Sequence, residues 1–362
     1  MRRLATIGAS TALLALTGAG PALACAALIG PNGSVQVERT TTLAAYHKGV
    51  EHYVTSFEFL GGGAEFGAIV PLPGVPTDVV KGGDWTLQRL VREVTPDETA
   101  LLRDGAEAAP VPAAAEVLQE VAIDALDVTI LKGGGDEVGR WAREQGFQLT
   151  PDFPEILDFY AARSPIFMAA RYDVERAQQS GQLVGTGTPV HLTIPTDNPW
   201  VPLRILGAGA APGDRVEADI FLLTDDRPAL LPTPGRGMAL ERSERASQTL
   251  LTDLRTDQGM EWVPDRMWLS YLRLDVPAAD LDHDLAVDAW ATGRPSQVDA
   301  GIAPVLRDVS DAAREATQRS LPAAVPLAVV AAAGLGLAGG AYLAGRVAEG
   351  RAGTDRSPGS RG

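Results

Sequence analysis

Arg319 and Arg346 bracket 26 residues without a charge, Ser320 to Gly345, near the end of a 362-residue chain. No other segment so narrows what the chain can become. At 1.5 Å per helical residue, about 20 such residues cross the hydrocarbon core of a bilayer. Pro322 and Pro326 fall at the start, where a missing N–H costs a helix little. Beyond them the segment is Ala, Val, Leu and Gly with a single Tyr342. A helix apolar on every face, followed by a basic tail, suits lipid better than a globular core. The expectation is a transmembrane helix over 321–345, with the lipid bilayer as its partner.

The other end carries the matching signal. Arg2 and Arg3 precede an apolar run from 4 to 16, and Gly18, Gly20 and Pro21 break it before Ala22-Leu23-Ala24. Small residues at Ala22 and Ala24 fit a leader-peptidase site, so residues 1–24 read as a cleaved signal peptide. Cleavage there makes Cys25 the first mature residue. A lipidated cysteine wants a branched apolar residue at the place Ala22 occupies, so an unpaired thiol beside an ordinary cleavage site is the simpler reading. One cysteine allows no intramolecular disulfide.

Charge sets the topology. The tail 346–362 carries four Arg against Glu349 and Asp355, and positive flanks stay cytoplasmic. The body then lies outside the cytoplasm. Setting aside +2 on the leader and +2 on the tail, the net charge of −15 becomes −19 on the outer segment. Such a surface repels anionic head groups. It also argues against nucleic acid as a partner, since phosphate binding relies on clustered Lys and Arg.

Within the apolar segment Gly334, Gly336 and Gly339 match G-x-G-x-x-G. That fingerprint has meaning only between a strand and a helix. Gly336, Gly340 and Ala344 recur every four residues instead, a small-residue face on which two spans can pair.

The outer segment, 25–292, reads as one α+β domain, mainly antiparallel strands with inserted helices, and a break near 105–122 would divide it into two lobes. Residues 35–46, 52–60 and 66–70 have strand character around the Lys48-Gly49 and Gly61-Gly62-Gly63 turns and read as a meander ending at Pro71. Asp84 is placed to cap a helix through Val94. Further helices are expected at 136–145, 154–162 and 242–255. Strands are expected at 128–131, 167–172, 190–194, 201–206, 216–223 and 268–274, and an Ala/Pro loop at 105–115. Residues 293–320 read as a juxtamembrane stalk.

Candidates for chemistry are few. His47, Glu51 and His52 approximate an inverted zinc-hydrolase pattern with one residue too many, across a turn instead of on a helix, so a solvated hairpin is expected. Asp280, Asp282 and Asp284 alternate around His283 and offer the oxygen ligands calcium prefers. The Gly and Glu of an EF-hand loop are replaced by Leu285 and Ala291, which favours a solvated acidic turn. His191 sits in an alternating strand and is expected to pack. Trp85 and Trp141 fall at core spacing. There is no G-x-S-x-G elbow, P-loop or C-x-x-C.

Several stretches together carry a resemblance. A cysteine after the leader and a hairpin precede Phe66-Gly-Ala-Ile-Val-Pro71-Leu-Pro73. A helix with Trp141 ends at Gly146-Phe147. Residues 190–206 hold Pro195 and Pro202-Leu203, and residues 271–290 run from a strand into Asp288. The chain resembles the bacterial domain of unknown function 2330. That resemblance implies a secreted or membrane-tethered protein and brings no catalytic residues. Its relatives often carry a second cysteine, which this chain lacks. The function expected is a binding or interaction module of the cell envelope, with an envelope protein or a glycan as partner. The alternatives are an exported hydrolase built on Asp282 and Asp284, and a calcium-stabilised surface domain.

Overall fold

Alternation of apolar residues on both faces of the central strands calls for a cover on each side, and helices provide it outside two stacked sheets. The computed structural model describes residues 27–30, 33–34, 40–56, 66–95, 116–179, 187–211, 213–235, 237–290 and 292–304. All fall within one unit, Met1–Val305. In chain order the elements begin with β1 (Ala27–Gly30), β2 (Gly33–Ser34), β3 (Thr40–His47), β4 (Val50–Ser56), β5 (Phe66–Leu72), β6 (Asp78–Lys81) and α1 (Thr86–Val94). There follow β7 (Glu116–Ile123), β8 (Leu126–Lys132), α2 (Gly135–Glu144), α3 (Phe153–Ala161), β9 (Ile166–Tyr172), α4 (Val174–Gln179), β10 (Pro189–Pro195) and β11 (Trp200–Val201). The last are β12 (Arg215–Thr224), β13 (Ala229–Leu231), β14 (Met238–Arg245), α5 (Gln248–Arg255), β15 (Trp268–Pro277) and β16 (Leu285–Asp288).

Three sheets result. An antiparallel six-stranded sheet runs β2-β1-β5-β9-β8-β7. A seven-stranded sheet runs β14-β15-β12-β3-β4-β10-β6, antiparallel except where β12 lies parallel to β3. A small sheet, β11-β16-β13, adds to these. The two large sheets bury a shared core: Phe66, Ala68, Val70, Val128, Ile130 and Met168 from one, Tyr53, Leu192, Ile220, Leu222 and Leu272 from the other. On the far face of the six-stranded sheet, α2 and α3 pack Trp141, Leu157 and Tyr160 over Ile69, Leu131 and Phe167. On the far face of the seven-stranded sheet, α1 and α5 pack Leu90, Leu250 and Leu254 over Leu43, Val54 and Phe221. The order of layers is helix, sheet, sheet, helix, an α+β arrangement rich in antiparallel strands.

Local chemistry explains the joints. Lys48 and Gly49 both take positive φ, 51° and 82°, the pair a tight type I′ hairpin requires, so β3 and β4 pair directly. Helix α2 ends with Gly146 at φ 86°. The Phe147 N–H donates to Ala142 O and the Gly146 N–H to Arg143 O, a Schellman closure. That turn drives the Phe147 ring onto Gly67, where an added Cβ would lie 2.8 Å from it. The sequence stretches 66–73 and 141–147 therefore meet in space.

The structure corrects several expectations. There is no three-strand meander: β5 leaves its hairpin neighbours and joins the other sheet between β1 and β9. Pro71 does not end that strand, because it pairs with Phe167 on one side and lies past the Gly67–Ile69 register with β1 on the other. Asp84 does not cap α1. The carboxylate of Asp257 does so from 172 residues away, accepting from the Trp85 N–H at 3.2 Å and the Thr86 hydroxyl at 2.7 Å. Of the strand expected at 201–206 only Val201 is one, as the end of β11, since Pro202 has no N–H for a ladder and the next N–H groups turn toward Asp284 to form a 3-10 turn, Arg204–Gly207. Residues 242–255 divide into the end of edge strand β14 and helix α5. Ser247 makes the division, its hydroxyl accepting from the Leu250 N–H at 3.1 Å.

The folded unit extends to Val305. Residues 293–304 belong to it, with Ala300 fully buried and its carbonyl accepting from the Asp284 N–H, so no stalk begins at 293. Strand β7 forms the edge of the six-stranded sheet and makes no lobe boundary at 116–122. The loop expected at 105–115 lies outside the described residues, as do the signal segment and the span at 321–345. Among the described residues no helix is long and apolar enough to cross a membrane.

Candidate functional site

Strand β16, buried along its length between β11 and β13, delivers the chain to the surface at Asp288. Here one carboxylate organises the next loop. Asp288 accepts from the Trp290 N–H at 3.3 Å, the Thr292 hydroxyl at 3.0 Å and the Arg294 N–H at 3.0 Å. Burial pushes its pKa up, but the donors from Thr292, Gly293 and Arg294 outweigh burial and hold it below the usual value. Trp290 is thereby fixed at the rim. Its indole N–H donates to Asp197 O at 3.0 Å, and its ring meets Tyr46 edge-on, 5.8 Å between centroids at 76°.

The opposite wall is the connection from β10 to β11. The Tyr46 hydroxyl donates to Thr196 O at 2.8 Å, and the Thr196 N–H donates to Gly49 O at 3.1 Å, which ties this wall to the β3–β4 turn. Burial first, then Asp197 and Glu51, push the Tyr46 pKa up to about 12, so its hydroxyl remains a donor. Between the walls lies an open cleft of about 100 Å³ lined by Asp197, Asn198, Asp288, Trp290, Thr292 and Arg294, among others. Trp290 is 55% exposed. It is the exposed one of six tryptophans.

Asp284, an expected surface ligand for calcium, is instead wholly enclosed. Its Oδ1 accepts from the Tyr160 hydroxyl at 2.7 Å and from the N–H groups of Leu203 and Arg204 at 2.7 and 2.9 Å. Its Oδ2 meets the Arg163 guanidinium at 2.5 Å, which also lies over the rings of Phe159, Tyr160 and Trp200. Both oxygens are engaged by these donors, and the guanidinium supplies the countercharge. Asp282 stands exposed, paired with His283 at 2.6 Å, and Asp280 ends an exposed 3-10 turn. The three carboxylates thus diverge, neither forming an oxygen cage nor bringing Asp282 and Asp284 to one reacting centre. Among the described residues no three His, Cys, Asp or Glu side chains are placed to share a metal ion.

The hairpin holding Glu51 and His52 is not solvated. Glu51 points into the core between the sheets with both carboxyl oxygens sealed and without a hydrogen-bond partner. Burial pushes its pKa to about 8; the Trp200 N–H opposes that shift from outside hydrogen-bond geometry. On the other face of β4, His52 Nδ1 lies 3.0 Å from His191 Nε2, and the His52 ring stacks on Trp262 at 3.8 Å and 3°. Desolvation foremost lowers these histidines to about 3 and about 4. His47 departs from both, pairing with Asp225 at 2.6 Å. His191 packs, as expected.

Ala22, Ala24, Cys25, Gly336, Gly340 and Ala344 lie outside the described residues. Trp290 was not singled out as a site residue from sequence, and Glu51 was weighed only as part of the zinc-hydrolase pattern and expected to be solvated. The available signal for Trp290 was its place before a Thr-Gly turn, which is a poor position for a core side chain.

A family profile described as an uncharacterised protein conserved in bacteria, domain of unknown function 2330, matches residues 20–231, more than half of the chain. No curated protein matches. Among solved structures, baculovirus P35 is 11% identical with a TM-score of 0.34, over 59% of this chain and 77% of that one. A mutated baculovirus P35 after caspase cleavage is 7% identical with a TM-score of 0.32, over 57% and 76%. Scores that low leave function to be argued from the site.

Proposed function

The chain belongs to the bacterial family of domain of unknown function 2330, and on that premise we propose that it is a tethered, extracytoplasmic binding module of the cell envelope. The leader 1–24 exports it, the span 321–345 anchors it in the bilayer, and the basic tail 346–362 stays in the cytoplasm. Hydropathy at the two ends and the charge asymmetry across the span support this placement. The folded unit presents the cleft between residues 195–201 and 288–296 as its binding surface.

One observation carries the reading: a large aromatic ring, Trp290, is held rigidly by two hydrogen bonds and an edge contact yet left 55% exposed. Folding gains little from an indole so placed, whereas a ligand gains a preorganised platform. Among the described residues the other exposed large apolar side chains, Val75, Leu118, Leu240 and Ile302, are aliphatic, and none of them lines this cleft. A hydrolase built on Asp282 and Asp284 is less well supported, since Asp284 is enclosed and Asp282 is exposed and paired with His283.

The test uses the full chain with an epitope tag on its tail. Protease added to intact cells should digest the body and leave the tail protected. The detergent-extracted chain should sediment with purified bacterial envelope fragments, and Trp290→Ala should abolish that sedimentation. A body spared on intact cells, or sedimentation indifferent to Trp290, refutes the reading.

A further inference from the structure

We propose that the Trp290 cleft binds a neutral pyranose oligosaccharide; this deepens the reading above and rests on the cleft being the binding surface. The argument begins with size. A cleft of about 100 Å³ is well below the roughly 300–1,000 Å³ that encloses a small molecule. Its ligand therefore lies across the rim, over the exposed indole. The face of an indole carries negative quadrupole density, and the flat side of a pyranose presents a row of C–H groups with partial positive charge. Stacking of the two needs one flat platform, held still.

The surrounding groups suit hydroxyls. Asp197, Asn198, Thr292 and Arg294 are exposed beside the ring. A carboxylate, an amide and a guanidinium are planar and can each meet two adjacent hydroxyls at once. Asp288 keeps its negative charge, but its oxygens already accept from Trp290, Thr292 and Arg294, so they do not meet ligand hydroxyls. With Asp197 and Asp288 against Arg294 the lining carries a net negative charge, which repels an anionic ligand, while Asp197 and Arg294 are left to meet the hydroxyls of a neutral one. A proline-rich peptide fits less well, since it docks between parallel aromatic ridges. Here the second ring, Tyr46, is 3% exposed and stands at 76° to the first.

The experiment titrates the full chain, in a detergent without a sugar head group, with linear tetrasaccharides of glucose, mannose and N-acetylglucosamine. Red-edge tryptophan emission is the readout, because Trp290 is the exposed indole. The expected result is a saturable blue shift with at least one of these sugars. Trp290→Ala should weaken binding by at least about tenfold without changing the melting midpoint, and Trp290→Phe should recover part of it. Arg294→Ala should weaken it several-fold. No saturation by about 10 mM sugar, together with Trp290-dependent sedimentation on envelopes, overturns the sugar class and leaves the binding module standing. Loss of both overturns both. Saturation by a proline-rich peptide in place of every sugar, or an equal response from Trp290→Ala, also overturns the proposal.

Discussion

Three buried groups should give the folded unit a stability optimum near pH 6.5. Glu51 has its pKa raised from 4.5 to about 8 by burial without a partner. Between those values the fold holds a proton that the unfolded chain has released. Folded binding exceeds unfolded binding there, so stability falls as pH rises, by about 1.4 kcal/mol per pH unit. His52 and His191 act in the opposite sense. Their pKa values drop from 6.5 to about 3 and about 4, so below pH 6.5 the unfolded chain takes up protons that the fold excludes. Each histidine then adds up to about 1.4 kcal/mol per unit of rising stability. From pH 4.5 to 6.5 the two histidines outweigh Glu51, and from 6.5 to 8 Glu51 outweighs what remains of their titration. The net loss over that upper window is about 1 kcal/mol. Urea unfolding at half-unit pH intervals measures it. Glu51→Gln, which cannot ionise, should remove the alkaline limb and steepen the acid limb between pH 4.5 and 6.5 by about 1.4 kcal/mol per unit. A wild-type curve that stays level from pH 6.5 to 8, or a Gln variant that keeps the same descent, refutes the assignment of a neutral buried Glu51.

Two further predictions follow from single contacts. Asp284→Asn removes the charge facing a guanidinium whose side chain is 3% exposed, and should cost about 3 kcal/mol or more in urea unfolding; a loss under about 1 kcal/mol would place that ion pair in water. Gly83→Ala would put a Cβ 2.0 Å from the Asp257 carboxylate that caps α1. It should lower stability by about 1–3 kcal/mol in thermal unfolding, and an unchanged midpoint would show that the cap is dispensable.

How much of this was legible in the residues depends on range. The Lys48-Gly49 hairpin, the Gly146 closure of α2 and the strands at 167–172, 190–194 and 216–223 were readable because their causes are local: backbone sterics, a cap, or alternation within one strand. The partner of β5 was not readable. A strand with apolar residues on both faces fits either sheet, and only the covers on its two sides decide which. Likewise the Ser247 division between β14 and α5 hides in a charged run whose spacing suits a helix as well as an edge strand.

The site shows the same boundary more sharply. By itself the sequence determined that two apolar ends flank an acidic body and that the body is strand-rich α+β, since hydropathy and periodicity are properties of consecutive residues. Only the tertiary structure decided what its carboxylates do. Asp280, Asp282 and Asp284 look alike as neighbours in the chain, yet one is enclosed by Arg163 from 121 residues away and another is exposed. Glu51 looked solvated beside a turn and lies between two sheets. Burial is set by what packs from elsewhere, and with it come the charge state of Glu51, the stillness of Trp290 and the cleft they adjoin through Tyr46.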